Sequence, residues 1–511
     1  MKATARLRLF LFCVFPLLCG AVALMSGQDA SWDLRNYHFY NGWALLHGHV
    51  HRDLLVAQTP SFYNPLLDLP YAWAEPLLDA RLLAFLIGAL HGVNFILLTL
   101  LGETLLTEWT PATRMKLSAL LAAVGCAGAV SFSEIGTVFY DTVTSIGLFA
   151  SLLLLVRRWD RLIAGGAADA VLAGLPLGLV FGLKETMAIY VAGLGAALFL
   201  ALPARLGIRL RVALAFGAGI FIGTLAGGGF WMAHLWQEYG NPLFPYFNQL
   251  FHSPWGRDSD YRDIAFEPRS AIERLFFPIF IAFDSRLASE VDFRDLRLPL
   301  LFLMVPLSPR FGAHRRPRTL LLVLMLAIAY VLWLRLFAIY RYLVAVEMLA
   351  PLLATLILAG LPQRWRLPAI LAVAALLVVT TKPAQWIRVP FAHRAIETTL
   401  PPIEDPDHSL VVLAGHEPLS FLIPAFPEAM RFLRIDSTFT NPDQTAVPFN
   451  PLMKREIDAH EGPLLALFIA TERRDVTRRL GNDGLILTDR CGPVRSNIGA
   501  GDYELCAVQR Q

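Results

Sequence analysis

Thr319-Leu320-Leu321-Leu322-Val323-Leu324-Met325-Leu326-Ala327-Ile328-Ala329-Tyr330-Val331-Leu332-Trp333-Leu334-Arg335-Leu336-Phe337-Ala338 is almost unbroken apolar sequence, preceded by Arg315, Arg316 and Arg318. In water such a run needs a large core on every side. In lipid a helix of roughly 20 residues, rising about 1.5 Å each, crosses the hydrocarbon layer with its backbone polar groups satisfied internally. A tight link through Arg341 and Tyr342 leads into a second run at 342–360. The chain of 511 residues is 56% apolar and 17% charged, short of the quarter charged that soluble domains carry.

Read outward from that hairpin, the sequence predicts an α-helical polytopic membrane protein of about 11 transmembrane helices, because runs of spanning length recur. They lie near 7–25, 82–107, 117–133, 138–156, 169–183, 186–202, 212–231, 296–309, 319–338, 342–360 and 367–380. Basic residues fall on alternate connections: Arg114 and Lys116; Arg157, Arg158 and Arg161; Arg205, Arg209 and Arg211; Arg310, Arg315, Arg316 and Arg318; Arg364 and Arg366. The positive-inside rule places these with the N-terminus in the cytoplasm, so an odd number of spans sends the C-terminal part outside. Lys2, Arg6 and Arg8 before the first run also fit a cleaved signal peptide, but the later spans favour an uncleaved helix. The run 271–283 is expected to lie at the interface rather than to cross.

Residues 1–380 are thus expected to form a transmembrane domain, with outer loops at 26–81 and 232–295. Residues 381–511 are expected to form a small extracytoplasmic α/β domain, with strands at 410–414 and 484–488 and a helix through 424–432. Cys491 and Cys506 lie in that domain and suit a disulfide if it faces an oxidising compartment. Cys13, Cys19 and Cys126 sit in apolar runs and read as core residues. Gly227-Gly228-Gly229 reads as close helix packing or a bend, no phosphate-binding glycine loop is present, and nothing suggests nucleic-acid binding.

Chemistry concentrates at the outer face. The first loop carries Asp29, Trp32, Asp33, Asn36, Tyr37, His38, Tyr40, Asn41 and Trp43. From Asp33 a short interfacial helix is expected, with Asp33, Tyr37 and Asn41 on one face and Trp32, Phe39, Trp43 and Leu46 toward the headgroups. A carboxylate at such a boundary can take a proton from a hydroxyl or hold a metal, and equally can cap a helix. His38 suits phosphate binding or proton relay as well as plain hydrogen bonding. His47, His49 and His51 read as a solvated turn. Glu134 lies in a short connection and Asp141 about one turn into the next span, where an uncompensated charge is costly. Lys184 interrupts two apolar runs beside Glu185. Arg335 ends its span, and Arg341 suits a lipid-linked phosphate. The segment Glu238-Tyr239-Gly240-Asn241-Pro242-Leu243-Phe244-Pro245-Tyr246-Phe247 follows a defined, aromatic path.

Trp32-Asp33-Leu34-Arg35-Asn36-Tyr37-His38, Glu134, Tyr140-Asp141, Lys184-Glu185-Thr186 and Arg341-Tyr342 together resemble the GT-C class of polytopic glycosyltransferases. Gly240-Asn241-Pro242-Leu243-Phe244-Pro245 resembles a segment of bacterial members. The likeness covers 1–380. It implies a GT-C-like fold and inverting transfer of a sugar from a polyprenyl-phosphate donor to a glycan, lipid or protein acceptor on the non-cytoplasmic side, while the composition and tight loops suggest a bacterial inner membrane. It implies Asp33 as base or metal ligand, Glu134 and Asp141 assisting, and Arg341 on the carrier phosphate. Tyr37, His38, Asn41, Lys184, Arg335 and Tyr342 are the further candidate substrate contacts. A clear Asp-x-Asp pair in the second loop is missing, so Mg²⁺ or Mn²⁺ at Asp33, Glu134 and Asp141 stays an open alternative to metal-free catalysis. Buried charges and broken helices also fit a transporter of lipid-linked or amphiphilic substrates, and a non-catalytic envelope assembly protein is a third reading.

Overall fold

The computed structural model describes residues 2–257, 261, 263–312, 315–444 and 447–511. The chain divides into two compact units, each assembled from separated stretches. The first holds Met1–Met25, Phe85–Gly229 and Arg262–Trp386; the second holds Ser26–Ala84, Phe230–Tyr261 and Ile387–Gln511. Residues 26–81 and the start of 232–295, the two segments expected as outer loops, therefore share a unit with the C-terminal segment.

The first unit is helical. Among the described residues six helices are long and apolar enough to cross a membrane: Ala5–Ser26, Ala80–Leu105, Leu206–Tyr239, Pro317–Leu336, Tyr340–Leu358 and Gln363–Thr380. This corrects the expected count of about eleven. Three other runs form shorter apolar helices, Ala167–Leu183, Glu185–Ala201 and Arg297–Leu307. The run 117–133 breaks after Cys126 into Pro111–Cys126 and a five-residue helix Ala129–Ser133, and 138–156 becomes Asp141–Arg157. The run 271–283 is a 13-residue helix kinked at Phe276, with Ile272, Leu275 and Phe283 exposed and Phe277 and Ile281 buried.

Glycine sets how closely two of these helices approach. Gly174, Gly178 and Gly182 of Ala167–Leu183 face Gly219, Gly223 and Gly227 of Leu206–Tyr239, each set at four-residue spacing. A Cβ on Gly178 would sit 2.1 Å from the Ile220 carbonyl oxygen, and one on Gly223 would sit 2.3 Å from that of Leu175. Small residues at this spacing let helix backbones meet where lipid supplies no hydrophobic drive for association. Cys19 is buried in this unit, Cys126 is half-buried and Cys13 is exposed, so Cys13 is not the core residue expected. On a membrane helix an apolar side chain pointing outward meets lipid at no cost.

The second unit is built on a mixed six-stranded sheet. Its strands follow a two-residue pair in which β1 (Gln28–Asp29) is antiparallel to β2 (Arg388–Val389). The sheet contains β3 (Thr398–Thr399), β4 (Leu410–Leu413), β5 (Arg431–Arg434), β6 (Leu464–Ile469), β7 (Leu485–Ser496) and β8 (Tyr503–Arg510), in the order β3-β7-β8-β6-β4-β5. β4 is parallel to both β5 and β6; the β6–β8, β7–β8 and β3–β7 pairs are antiparallel. Every side chain of β4 is buried, as expected of a central strand reading as an apolar run. The helix expected through 424–432 is instead a 3-10 turn, Ser420–Ala425, followed by β5. Pro424 and Pro427 remove the donors an α-helix needs there. Cys491 and Cys506 are joined as a disulfide across β7 and β8.

Candidate functional site

In the first unit the short helix Ala129–Ser133 carries Glu134 at its C-terminal end. So brief a helix cannot satisfy its own first N–H groups. Distant carboxylates do it: the Ala129 N–H donates to Asp295 Oδ2 at 2.9 Å, and those of Val130 and Ser131 donate to Glu347 at 3.3 and 2.8 Å. The Ser131 hydroxyl adds a 2.7 Å bond to Glu347 Oε1. Gly128 is required because a Cβ would lie 2.0 Å from that same oxygen. Asp295 is in turn ion-paired with the fully buried Arg297, which donates to the Val124 carbonyl at 2.6 Å.

Beyond Glu134 the backbone turns through Gly136 and Tyr140, both at positive φ. A left-handed tyrosine costs of order 1 kcal/mol or more and persists only where its surroundings enforce it. Here it delivers Asp141 to the first position of the helix Asp141–Arg157 rather than one turn inside, as the sequence predicts. Trp386 braces the turn, its Nε1 donating to Ser133 Oγ at 3.1 Å and its ring lying 4.6 Å from that of Phe139.

Lys184 closes on this turn. Its Nζ lies 2.8 Å from Asp141 Oδ1, donates to the Phe139 carbonyl at 2.6 Å, and stands 5.9 Å from the Tyr342 ring centre. Its partner is Asp141, not the adjacent Glu185. The Arg341 guanidinium packs over the rings of Phe139 and Tyr342, at 5.0 and 5.4 Å. Glu134 is fully buried, and among the described residues neither of its carboxyl oxygens accepts a hydrogen bond. Burial, and next the Asp141 carboxylate, push its pKa well above the usual range, against the pull of Lys184 and Arg341. Glu134, Asp141, Lys184, Arg341 and Tyr342 thus form one cluster of two acids and two cations. Arg335 points elsewhere, mostly exposed and 3.8 Å from Glu267.

In the second unit the Asp33 segment folds as a π-helical turn, Leu34–His38, running into the α-helix Phe39–His47. The Phe39 N–H reaches back to the Leu34 carbonyl, so the turn is one residue wider than the α-helix expected. Tyr37 donates to Asp33 Oδ2 at 3.1 Å, and His38 Nδ1 meets Asp68 Oδ1 at 2.5 Å. Asn41 donates to the Pro60 carbonyl at 2.9 Å. Tyr37 also packs edge-on to Tyr63, whose hydroxyl is 3.2 Å from that of Tyr246. Asp33, Phe39 and Trp43 are buried in protein, whereas Trp32 and Leu46 are exposed, which corrects the expected interfacial stripe. Asp29 lies in β1, pairs in register with Arg388 and accepts the Ser31 N–H at 2.9 Å.

Of the three histidines expected in a solvated turn, His47 and His51 are exposed and His49 is not. His49 is fully buried between Asp53 Oδ2, at 2.9 Å, and the Glu428 carbonyl. Tyr40 shares Asp53 at 2.7 Å, and the Phe432 N–H donates to the other oxygen at 2.9 Å. Asp53 and Asp68 are the residues the sequence did not single out as organisers. Asp53 stands four residues after His49, a helical spacing that could have flagged it.

Two groupings of described residues offer three metal-type ligands: His51, His234 and Glu238, and Cys491, Glu504 and Cys506. The second is spent, since both sulfurs are in the disulfide. Neither includes Asp33, Glu134 or Asp141, the carboxylates expected to hold Mg²⁺ or Mn²⁺.

Among solved structures the chain is similar to the Archaeoglobus fulgidus oligosaccharyltransferase in its apo form, with a TM-score of 0.51 and 12% identity over 93% of this chain and 71% of that one. The same protein in complex with zinc and sulfate gives a TM-score of 0.47 and 14% identity over 88% and 67%. No family profile and no curated protein matches the chain. At that identity the likeness establishes the fold.

Proposed function

We propose that this protein is a membrane glycosyltransferase that moves a sugar from a polyprenyl-phosphate donor to an acceptor hydroxyl at the extracytoplasmic face of a bacterial inner membrane. The observation that carries the reading is the cluster of Lys184 and Arg341 beside Asp141 and the orphaned Glu134. A buried acid without hydrogen-bond partners is destabilising, and such groups persist where function needs them.

In this reading Arg341 and Lys184 take the carrier phosphate, Tyr342 and Phe139 fixing the guanidinium plane. Asp141 holds Lys184 in place until the phosphate arrives. To Asp33, oriented by Tyr37 within its own unit, we assign the role of general base toward an acceptor hydroxyl. That oxygen bonds to the anomeric carbon as the bond from that carbon to the phosphate oxygen breaks, and the electron pair leaves with polyprenyl phosphate. One displacement inverts the anomeric centre. The cations stabilise charge developing on the leaving phosphate.

The test is transfer of radiolabelled sugar from a polyprenyl-phosphate donor to envelope acceptors by purified protein in liposomes. Label leaving the lipid in wild type, with the donor KM raised about 10- to 100-fold in Arg341→Ala, supports the reading. Label that crosses the bilayer still joined to its lipid carrier would instead identify a transporter.

A further inference from the structure

The helix Leu206–Tyr239 ends in the second unit, where His234 and Glu238 stand one helical turn apart on the same face. His51, from the 3-10 turn His49–His51, meets them there. The rings of His51 and His234 lie 5.0 Å apart at 77°, and the ligand atoms of His51, His234 and Glu238 all fall within 4.8 Å of one another.

The backbone turn that carries His51 and the ring of His234 are both braced. His49, two residues before His51, is buried and bonded to Asp53, which anchors the turn. Arg52, the nearest cation in sequence, is turned away onto the carbonyls of Glu428 and Ala429. The indole of Trp231 packs 4.6 Å from the His234 ring. Among the described residues no side-chain hydrogen bond or ion pair engages His51, His234 or Glu238. His234 also lines a cleft with Asp53, Trp231, Leu235 and Tyr239, and His51 and Glu238 are exposed to solvent.

We propose that His51, His234 and Glu238 bind one divalent transition-metal ion, Zn²⁺ foremost, with a water in the fourth position. Two neutral imidazoles and one carboxylate are the donor set that suits Zn²⁺, whereas Mg²⁺ and Mn²⁺ favour all-oxygen shells. Zn–N bonds of about 2.0–2.1 Å bring tetrahedral ligand atoms to roughly 3.4 Å from one another, so closure needs side-chain shifts of about 1 Å. The exposed His51 and Glu238 can supply these by rotation. The ion would clasp the His49–His51 turn to the end of the helix within the second unit. It does not depend on the transferase reading.

The experiment is equilibrium dialysis of tag-free, full-length protein in detergent against Zn²⁺ alone, with X-ray absorption at the zinc edge. One Zn²⁺ per chain, a Kd near or below about 1 µM, and a shell of two imidazoles with light oxygen donors are expected. His51→Ala and His234→Ala should each weaken binding about 100-fold and Glu238→Gln about 10-fold, because a three-ligand site has none to spare. His47→Ala should change nothing, and millimolar Mg²⁺ should not compete. Wild-type levels of binding in both His51→Ala and His234→Ala, or an equal loss in His47→Ala, overturns the assignment. Gel-filtration profiles matching wild type ensure that a loss reports the site; His51→Asn replaces any variant that aggregates.

Discussion

The charged cluster of the helical unit and the Asp33 segment of the mixed-sheet unit treat buried polar groups in opposite ways. Around Asp33 the carboxylates are tied down: Asp53 receives Tyr40, His49 and the Phe432 N–H, and Asp68 receives His38. Among the described residues Glu134 in the helical unit accepts no hydrogen bond, and one oxygen of Asp141 likewise accepts none. Satisfied networks rigidify a fold, whereas orphaned acids store cost that a ligand can relieve. Stability and activity should therefore separate, with the Asp33 segment answering for folding everywhere except at the proposed base.

The sharpest test of that exception is Asp33→Asn. It should lower turnover about 1,000-fold, within the range for loss of a general base, while barely moving the melting temperature. Full turnover in the purified variant would remove Asp33 from the chemistry. Next in size, Asp53→Ala should destabilise the protein by about 3 kcal/mol, because a buried tyrosine, a histidine and a backbone N–H lose their acceptor together. Thermal unfolding in detergent reads this, and an unchanged midpoint would break the contrast.

Glu134→Gln should do the reverse, costing transfer activity about 10-fold or more while raising stability by about 1 kcal/mol at neutral pH. The sign follows from burial. The folded carboxyl stays protonated at pH values where the unfolded one, with its ordinary value of 4.5, has ionised. The folded state then holds the extra proton, so stability falls as pH rises above 4.5, up to the raised folded pKa. Wild type should lose stability over that window relative to Glu134→Gln; parallel pH profiles would sink the idea. Arg335→Ala is the smallest. An exposed arginine facing Glu267 is worth less than about 0.5 kcal/mol, and transfer should change less than twofold.

Much of the helical body was legible in the sequence, because lipid imposes length and apolarity on every long span. The sequence misjudged the count. Apolarity marks what lies in the membrane, but not where Ala127 and Gly128 interrupt a run or where Gly178 against Ile220 lets short helices pack inside. β4 was legible as an isolated apolar run, and β5 was hidden behind Pro424 and Pro427. The polar residues of the cluster were visible as charges in apolar surroundings. Their pairing was not, since Lys184 meets Asp141 across 43 positions rather than the Glu185 beside it. His49 deceived most, because its burial depends on the carbonyl of Glu428, which no local pattern announces.

The division of the mixed-sheet unit among three stretches has a consequence for how the protein is made. Ser26–Ala84 leaves the ribosome about 300 residues before Ile387–Gln511, which supplies β2 and the sheet. At roughly 5–20 residues per second, that first stretch waits on the order of 15–60 s without its partners, while the intervening helices are threaded into lipid. Through that interval β1 is without β2 and His49 without the Glu428 carbonyl, so this stretch reaches its final packing only once translation ends.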